Sequence, residues 1–367
     1  MTAIPLPESR AYVVFRHDKI GDLIVSTPLF DVIRANDPAA RVILVASPYN
    51  AAIAAGHPSI DEVWTYDKAW PLARRLGVLR RLRAARPEAA FVLAPRNDAY
   101  FMAWLSGARR RGGILMSYRL LPRLLAPLLL TAAEGIDRAA DRRAGRPSRH
   151  QTEIVLALAA KLGLAVRGAP PLSLPPPGPG PLARLGLGAG PSLVLHMVGA
   201  WLSHGWTLDD MRGLIRGLAA LGAGRVVLTL GPQDHAAFAP LVAECPALTA
   251  GPDGAYAETP PAEGSDLPAI AVRTPPFADW SALIAEASLV VTQDCGAVHL
   301  AAAHGTPVVV VYAPGRFETF YAEFGPWQVP NRGLEKSAPE ATGGAILEAA
   351  AALLAEGRRA ARPACGN

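Results

Sequence analysis

Cysteine is scarce in this chain of 367 residues: Cys245, Cys295 and Cys365 stand far apart, with no CxxC pair and no Cys/His cluster. That argues against a disulfide framework or a zinc site and for a reducing, cytoplasmic setting. No run of about 18 apolar residues occurs, so no membrane-spanning helix is expected. The opening MTAIPLPESR has neither a basic n-region nor an apolar h-region, so no signal peptide is expected. The usual glycine fingerprints are missing as well. No GxGxxG lies between a strand and a helix, and Gly186-Leu187-Gly188-Ala189-Gly190 precedes a strand, the wrong context for a dinucleotide site. No GxxxxGK followed by Ser or Thr is present. Asp209-Asp210 is not a DxD motif, and no His, Asp or Glu set has metal-ligand spacing. These absences count against nicotinamide-dependent oxidoreduction, P-loop chemistry and a metal site. Nor does any recognised nucleic-acid motif accompany the basic residues, so nucleic acid is not an expected partner.

What is present describes a globular protein, 51% hydrophobic and 18% charged. Its length favours two domains over one core. The net charge of +5 hides a split: residues 1–167 carry 25 Lys and Arg against 14 Asp and Glu, and the remainder carries 11 against 17. A basic half of this kind suits an anionic partner, although a GC-rich gene, with Arg far outnumbering Lys, would produce the same excess.

Apolar runs alternate with helical patterns. AYVVF (11–15), RVILVA (41–46), DEVWTY (61–66) and AAFVLA (89–94) read as strands, with a helix over 22–36. The beat stops at the Pro- and Gly-rich stretch 168–192 and resumes with SLVLHM (192–197), RVVLTL (225–230), LVVTQ (289–293) and PVVVVYA (307–313). Helices are expected at 207–221, 234–245, 278–287 and 295–304. Continuous apolar strands separated by helices indicate parallel sheets covered on both faces. The expected organisation is α/β: a Rossmann-like domain over 1–170, a linker over 171–191, a second Rossmann-like domain over 192–345 and a C-terminal helix and tail over 346–367. The two domains would face a cleft, with ligands beyond the carboxyl ends of the strands. One stretch is unusual. ILMSYRLLPRLLAPLLLTAA (114–133) is strongly apolar, yet Arg119 and Arg123 interrupt it and Pro122 and Pro127 break its helical pattern. It reads either as a surface for anionic lipid headgroups or as a buried helical hairpin.

Two loops could carry chemistry. In RHDKIGDLIVSTP (16–28), Gly21 permits a tight turn. Asp22 is either an N-cap, accepting an orphan amide hydrogen bond, or a general base that deprotonates a hydroxyl. In QDCGAVHLAAAHGTP (293–307), a strand runs into a helix of small residues whose first amides suit a phosphate. There Asp294 is a cap or a ligand contact, and His299 is a core histidine or a site residue. Cys295 has no evident base partner, so a thiol nucleophile is not expected.

Together these loops resemble glycosyltransferase family 9, the heptosyltransferases of lipopolysaccharide assembly. The first resembles the family's R-x-D-x-x-G-D-x-x-x-x-T-P through Arg16, Asp18, Gly21, Asp22, Thr27 and Pro28. The second resembles its late motif through Asp294, Gly296, His299, Ala301, Ala302, Gly305, Thr306 and Pro307. His150-Gln151-Thr152-Glu153 is similar to the segment ahead of the family's linker. The resemblance implies the GT-B fold, with the acceptor on the N-terminal domain and a nucleotide sugar on the C-terminal one. Asp22 would be the catalytic base of an inverting, metal-independent transfer, with Arg16, Asp18, Lys19 and Gly21 meeting the acceptor or a phosphate. Asp234, His204, Asp294, Cys295, Gly296 and His299 would bind the donor, ADP-heptose by default. No cofactor beyond that donor is implied. The acceptor would be an anionic, cell-envelope glycolipid, reached by a cytoplasmic enzyme in peripheral contact with the inner membrane. Three positions depart from the family pattern. His204 replaces a basic residue that is usually Lys, Met197 stands where Pro usually follows His196, and Cys295 replaces Thr or Ser. These departures leave open a homologue that binds a nucleotide sugar but has impaired catalysis.

Overall fold

The computed structural model describes residues 10–177, 192–223, 226–251 and 255–360. The chain divides into two compact units, Met1–Pro175 and Pro176–Asn367. Residues 178–191 of the Pro- and Gly-rich stretch, and Cys365, lie outside the described residues.

The first unit is built on six strands: β1 (Ala11–Phe15), β2 (Arg41–Ala46), β3 (Glu62–Thr65), β4 (Ala89–Val92), β5 (Arg110–Met116) and β6 (Ala132–Ile136). Their order is β3-β2-β1-β4-β5-β6, and every pairing is parallel. Every residue of AYVVF in β1 is buried, as expected of a central strand covered on both faces. The chain leaves β1 in one direction along the sheet and returns to its other side at β4. The β1/β4 boundary is therefore a topological switch point, where loops beyond the strand ends form a crevice.

Two of these strands carry no strand-like sequence. β5 reads RRGGILM, and its glycines are required by packing. A Cβ on Gly112 would lie 2.7 Å from Leu162 Cδ1, and one on Gly113 would lie 2.7 Å from Leu130 Cδ1 and 2.9 Å from Tyr100 Cε1. β6 contains a buried carboxylate, Glu134, held by Arg149 at 2.6 Å and Lys161 at 2.7 Å. The stretch 114–133 is therefore not a helical hairpin. It is the end of β5, a helix Leu120–Leu129 and the start of β6.

The second unit has eight strands: β7 (Leu193–Met197), β8 (Val226–Leu230), β9 (Ala247–Ala250), β10 (Tyr256–Thr259), β11 (Ala269–Arg273), β12 (Leu289–Gln293), β13 (Val308–Tyr312) and β14 (Asn331–Glu335). The order is β10-β9-β11-β8-β7-β12-β13-β14, parallel except for the edge strand β10. Here the switch point lies between β7 and β12. The helix expected from residue 346 begins at Pro339 and runs to Ala360, and its Ile346, Ala350 and Leu353 are buried in the core of this unit. Both units have the doubly wound architecture, as the α/β reading expected.

Candidate active site

Each unit places its motif loops at its own switch point. In the first, β1 ends at Phe15 and Arg16 turns inward, only 3% exposed. Its guanidinium is fully engaged by the loop. Nε donates to the Asp22 carbonyl at 2.8 Å and Nη1 to the Leu93 carbonyl at 2.6 Å. The same group lies 3.3 Å from Asp18 Oδ2 and 3.3 Å from Asp22 Oδ1. Arg16, expected to meet the acceptor or its phosphate, is thus a buried clamp that joins the loop after β1 to the end of β4. Lys19 is exposed and Gly21 is buried.

The helix expected over 22–36 is two helices, Ile20–Ile24 and Pro28–Asn36. Pro28 opens the second, where its missing N–H leaves no intrahelical bond unmade. Lys19 occupies the N-cap position of the first helix, so Asp22 is not a cap. The Asp22 carboxylate, 22% exposed, reaches solvent beside Arg16. Thr27 serves the scaffold: its hydroxyl donates to Ile24 O at 2.8 Å and accepts from Ser173 N at 2.9 Å. Burial raises the Asp18 carboxyl above the usual carboxylate range, against the pull of Arg16, and Asp22 pushes the same way as burial. One guanidinium is therefore shared by two acids. The two carboxylates are each partly exposed, Asp18 at 25% and Asp22 at 22%.

Three neighbours gave no signal in the sequence. His17 is buried edge-on to Tyr66, and neither ring nitrogen has a hydrogen-bond partner among the described residues. Burial, then Arg96, push its pKa down to about 4, so it is neutral at pH 7. Arg96 and Asp98 form a two-pronged pair, 3.2 Å at each contact, just past β4. Only the pairing of β1 with β4 puts these residues beside the motif.

In the second unit, β7 empties into a 3-10 turn, Gly199–Leu202. Asp234, at the end of β8, accepts from Gly199 N at 2.7 Å through Oδ1; its buried Oδ2 has no partner among the described residues. Expected to meet the donor, Asp234 first fixes this turn and keeps one oxygen in reserve. His204 follows at φ +56° and Gly205 at φ +84°, both left-handed. The strain at His204 holds an exposed imidazole at the tip, with Nδ1 2.9 Å from Ser203 Oγ. Thr274, at the end of β11, is also left-handed at φ +49°, an outlier for a β-branched residue.

Beneath the His204 turn lies a buried cation that sequence spacing could not place. Lys336 is 2% exposed. Its Nζ donates to Trp201 O at 2.6 Å and Ala200 O at 3.0 Å, and lies 3.3 Å from Ser203 Oγ. It also stands 5.3 Å from the Trp206 ring centroid. Burial lowers its pKa to about 8. This lysine serves the backbone of the loop, while His204 presents the side chain.

At the end of β12, Asp294 is exposed and Cys295 occupies the N-cap position of the helix Gly296–His304, without a side-chain cap bond. Like other helix starts, this one favours an anion beside its first amides. His299 is only 4% exposed and packs edge-on to Phe324, which agrees with the core reading of that residue. The Cys295 thiol lies 3.2 Å from Thr292 Oγ1, and burial raises its pKa to about 11, so it is protonated at neutral pH. Among the described residues no three His, Cys, Asp or Glu side chains form a metal-binding group.

Comparison with known proteins bears on the fold and on one stretch of the sequence. The model of glycosyltransferase family 9 (heptosyltransferase) matches residues 272–340, the span from the end of β11 to the start of the last helix. A family 9 glycosyl transferase from Veillonella parvula is 18% identical with a TM-score of 0.72, covering 95% of this chain and 97% of that one. The E. coli ADP-heptose LPS heptosyltransferase II is 20% identical with a TM-score of 0.70, over 95% of this chain and 99% of that one. E. coli heptosyltransferase WaaC, solved with ADP-2-deoxy-2-fluoro heptose, is 19% identical with a TM-score of 0.63, over 92% and 98%. No curated protein matches the chain. The chain is similar to family 9 in sequence over 272–340 and in fold over nearly its whole length.

Proposed function

We propose that this chain is a heptosyltransferase-like glycosyltransferase that moves a sugar, heptose by default, from an ADP-linked donor to a cell-envelope glycolipid. The observation that carries this reading is the partly exposed Asp22 carboxylate, held by a buried arginine at the first switch point of a GT-B fold. Asp22 takes the proton of an acceptor hydroxyl. The freed oxygen attacks the anomeric carbon, the new C–O bond forms as the bond to the diphosphate breaks, and ADP departs with its electrons. One displacement inverts the anomeric configuration. Fixed dipoles offset the charge that develops on the diphosphate, and the Gly296–His304 helix start supplies them in the second unit. The exposed His204 imidazole donates a hydrogen bond to the diphosphate. The unoccupied Asp234 Oδ2 accepts from a ribose hydroxyl. No step requires a metal or a cofactor beyond the donor, and the work is done at the cytoplasmic face of the inner membrane. Two similar E. coli enzymes, one an ADP-heptose heptosyltransferase and the other solved with an ADP-heptose analogue, support the choice of donor.

A second reading has its own observation. The family's usual lysine is absent from the His204 position, and Lys336 is directed at carbonyls instead. A homologue that binds nucleotide sugars without transferring them would look the same.

Thermal unfolding with ADP, UDP, GDP, TDP and NADH, followed by an assay with ADP-heptose and a core glycolipid, decides between them. A ligand at 100 times its Kd adds about 2.7 kcal/mol to the folded state. A shift with ADP followed by turnover supports the enzyme. A shift without turnover supports the binding homologue, and no shift with any nucleotide removes both.

A further inference from the structure

The helix Leu120–Leu129 turns its more apolar side outward. Pro122, Ala126 and Leu129 face the core of the first unit. Leu120, Leu124 and Leu128, spaced four residues apart on one face, are 71%, 77% and 66% exposed, with Leu121 beside them at 52%. The helix packs against Asn97–Leu105, which exposes Phe101, Trp104 and Leu105, and that helix in turn packs against Leu72–Ala84, which exposes Leu72 and Leu76. These three helices, packed in sequence, thus expose large apolar side chains to water.

The charge around this face has one sign. Between Lys68 and Ala133 the sequence holds 13 Lys and Arg but only Glu88 and Asp98 on the acidic side. Both acids are already paired, Glu88 with Arg110 and Asp98 with Arg96. Arg74, Arg80, Arg83, Arg109 and Arg123 are exposed along the same helices and at their ends. Leucines that enter an acyl layer while arginines reach up to headgroup phosphates are what a lipid interface selects.

We infer that the face formed by Leu120, Leu121, Leu124 and Leu128, with Phe101 and Trp104 beside it, docks on a bilayer of anionic phospholipid. The occupant is a lipid surface rather than a second copy of the chain. A copy would bring the same unpaired arginines against these, whereas anionic headgroups neutralise them. The inference rests on the proposed function only in giving docking a purpose, the delivery of Asp22 to a membrane-held acceptor; binding itself needs neither donor nor acceptor.

The test is co-sedimentation of the full chain with vesicles of phosphatidylcholine alone and with about 30% phosphatidylglycerol. The wild type is expected to bind the anionic vesicles at least tenfold more tightly, and more weakly as salt rises. The Leu120→Gln/Leu124→Gln/Leu128→Gln variant is expected to lose at least tenfold while melting like the wild type, since none of these leucines is in the core. No binding by the wild type, or equal binding by the variant, overturns the inference. A wild-type dimer that the variant converts to monomer, without vesicle binding, assigns the face to a second copy and also overturns it. Transfer to a deacylated, water-soluble acceptor separates the two claims: turnover without docking removes the surface and keeps the enzyme, and docking without turnover does the reverse.

Discussion

Arg16 holds Asp22 twice, by a 2.8 Å bond from Nε to its carbonyl and a 3.3 Å approach of Nη2 to its carboxylate. Backbone and side chain of the same residue are thus held by one guanidinium. Asp22→Asn keeps the size and the carbonyl contact but removes the base. Turnover is expected to fall by about 10²–10⁴-fold with ADP affinity within a few-fold of wild type. An unchanged rate in a steady-state assay would rule Asp22 out as the base. Arg16→Leu instead leaves two acids without their cation and is expected to cost about 3 kcal/mol of stability, measured by denaturant unfolding.

Lys336 makes the stability depend on pH. Its pKa is lowered by burial from the ordinary 10.5 to about 8. Between those values the unfolded chain holds a proton that the folded chain has released, so this group's contribution to stability rises with pH across the window. The penalty for burying the ammonium is present in full below about pH 8. The difference in Tm between wild type and Lys336→Met should therefore move in favour of wild type from pH 8 to 10. A difference that stays flat means the amine is not perturbed.

His204 is tested by what replaces it. His204→Ala is expected to raise the KM for the donor about tenfold, and His204→Lys, which puts an ammonium at the tip, to match or exceed the wild type. If the alanine variant keeps its KM, the tip of this turn does not touch the diphosphate.

Cys295 is expected to be chemically inert. With its pKa near 11, iodoacetamide should modify it in the native protein at pH 7.5 at least tenfold more slowly than after unfolding. Cys295→Ser, followed by the transfer assay, should keep turnover. Complete loss there would point to thiol chemistry that this geometry does not support.

Gly113 reports on the packing that hides β5. Alanine there places a Cβ 2.9 Å from Tyr100 and 2.7 Å from Leu130 and should cost about 1–3 kcal/mol. An unchanged urea midpoint would mean that the helices over this strand move apart freely.

Sequence reading succeeded on β1, β2, β4, β7, β8, β12 and β13, where burial on both faces demands a mainly apolar run, and on the partly buried β3. It failed where another requirement outranked strand propensity. β5 gives its central positions to glycine so that helices can approach. β6 accepts Glu134 because two cations compensate it. β11 reads AIAVR, alanine-rich and as helix-like as it is strand-like. β10 and β14 are the sheet edges and are polar, and β9 beside β10 is a short ALTA segment. The sites divide the same way. Asp22, Asp234 and Cys295 sit in loops that their own neighbours predict. His17, Arg96 and Lys336 acquire their meaning from strand pairing: Lys336 contacts a turn more than 130 residues earlier in the chain. The cap reading of Asp22 failed on a local detail, a helix one turn long that starts at Ile20.

The bond from Arg16 to the Leu93 carbonyl spans 77 residues. During synthesis, the loop that presents Asp22 therefore lacks its clamp until β4 has been made and has paired with β1. Contacts of such long range are slow to close, because the intervening chain must be ordered first. A ribosome-bound chain stopped before Leu93 would carry the whole motif and still lack a fixed Asp22. The proposed base is thus tied to completion of the central sheet, and a nascent, half-folded chain would leave a sugar donor untouched.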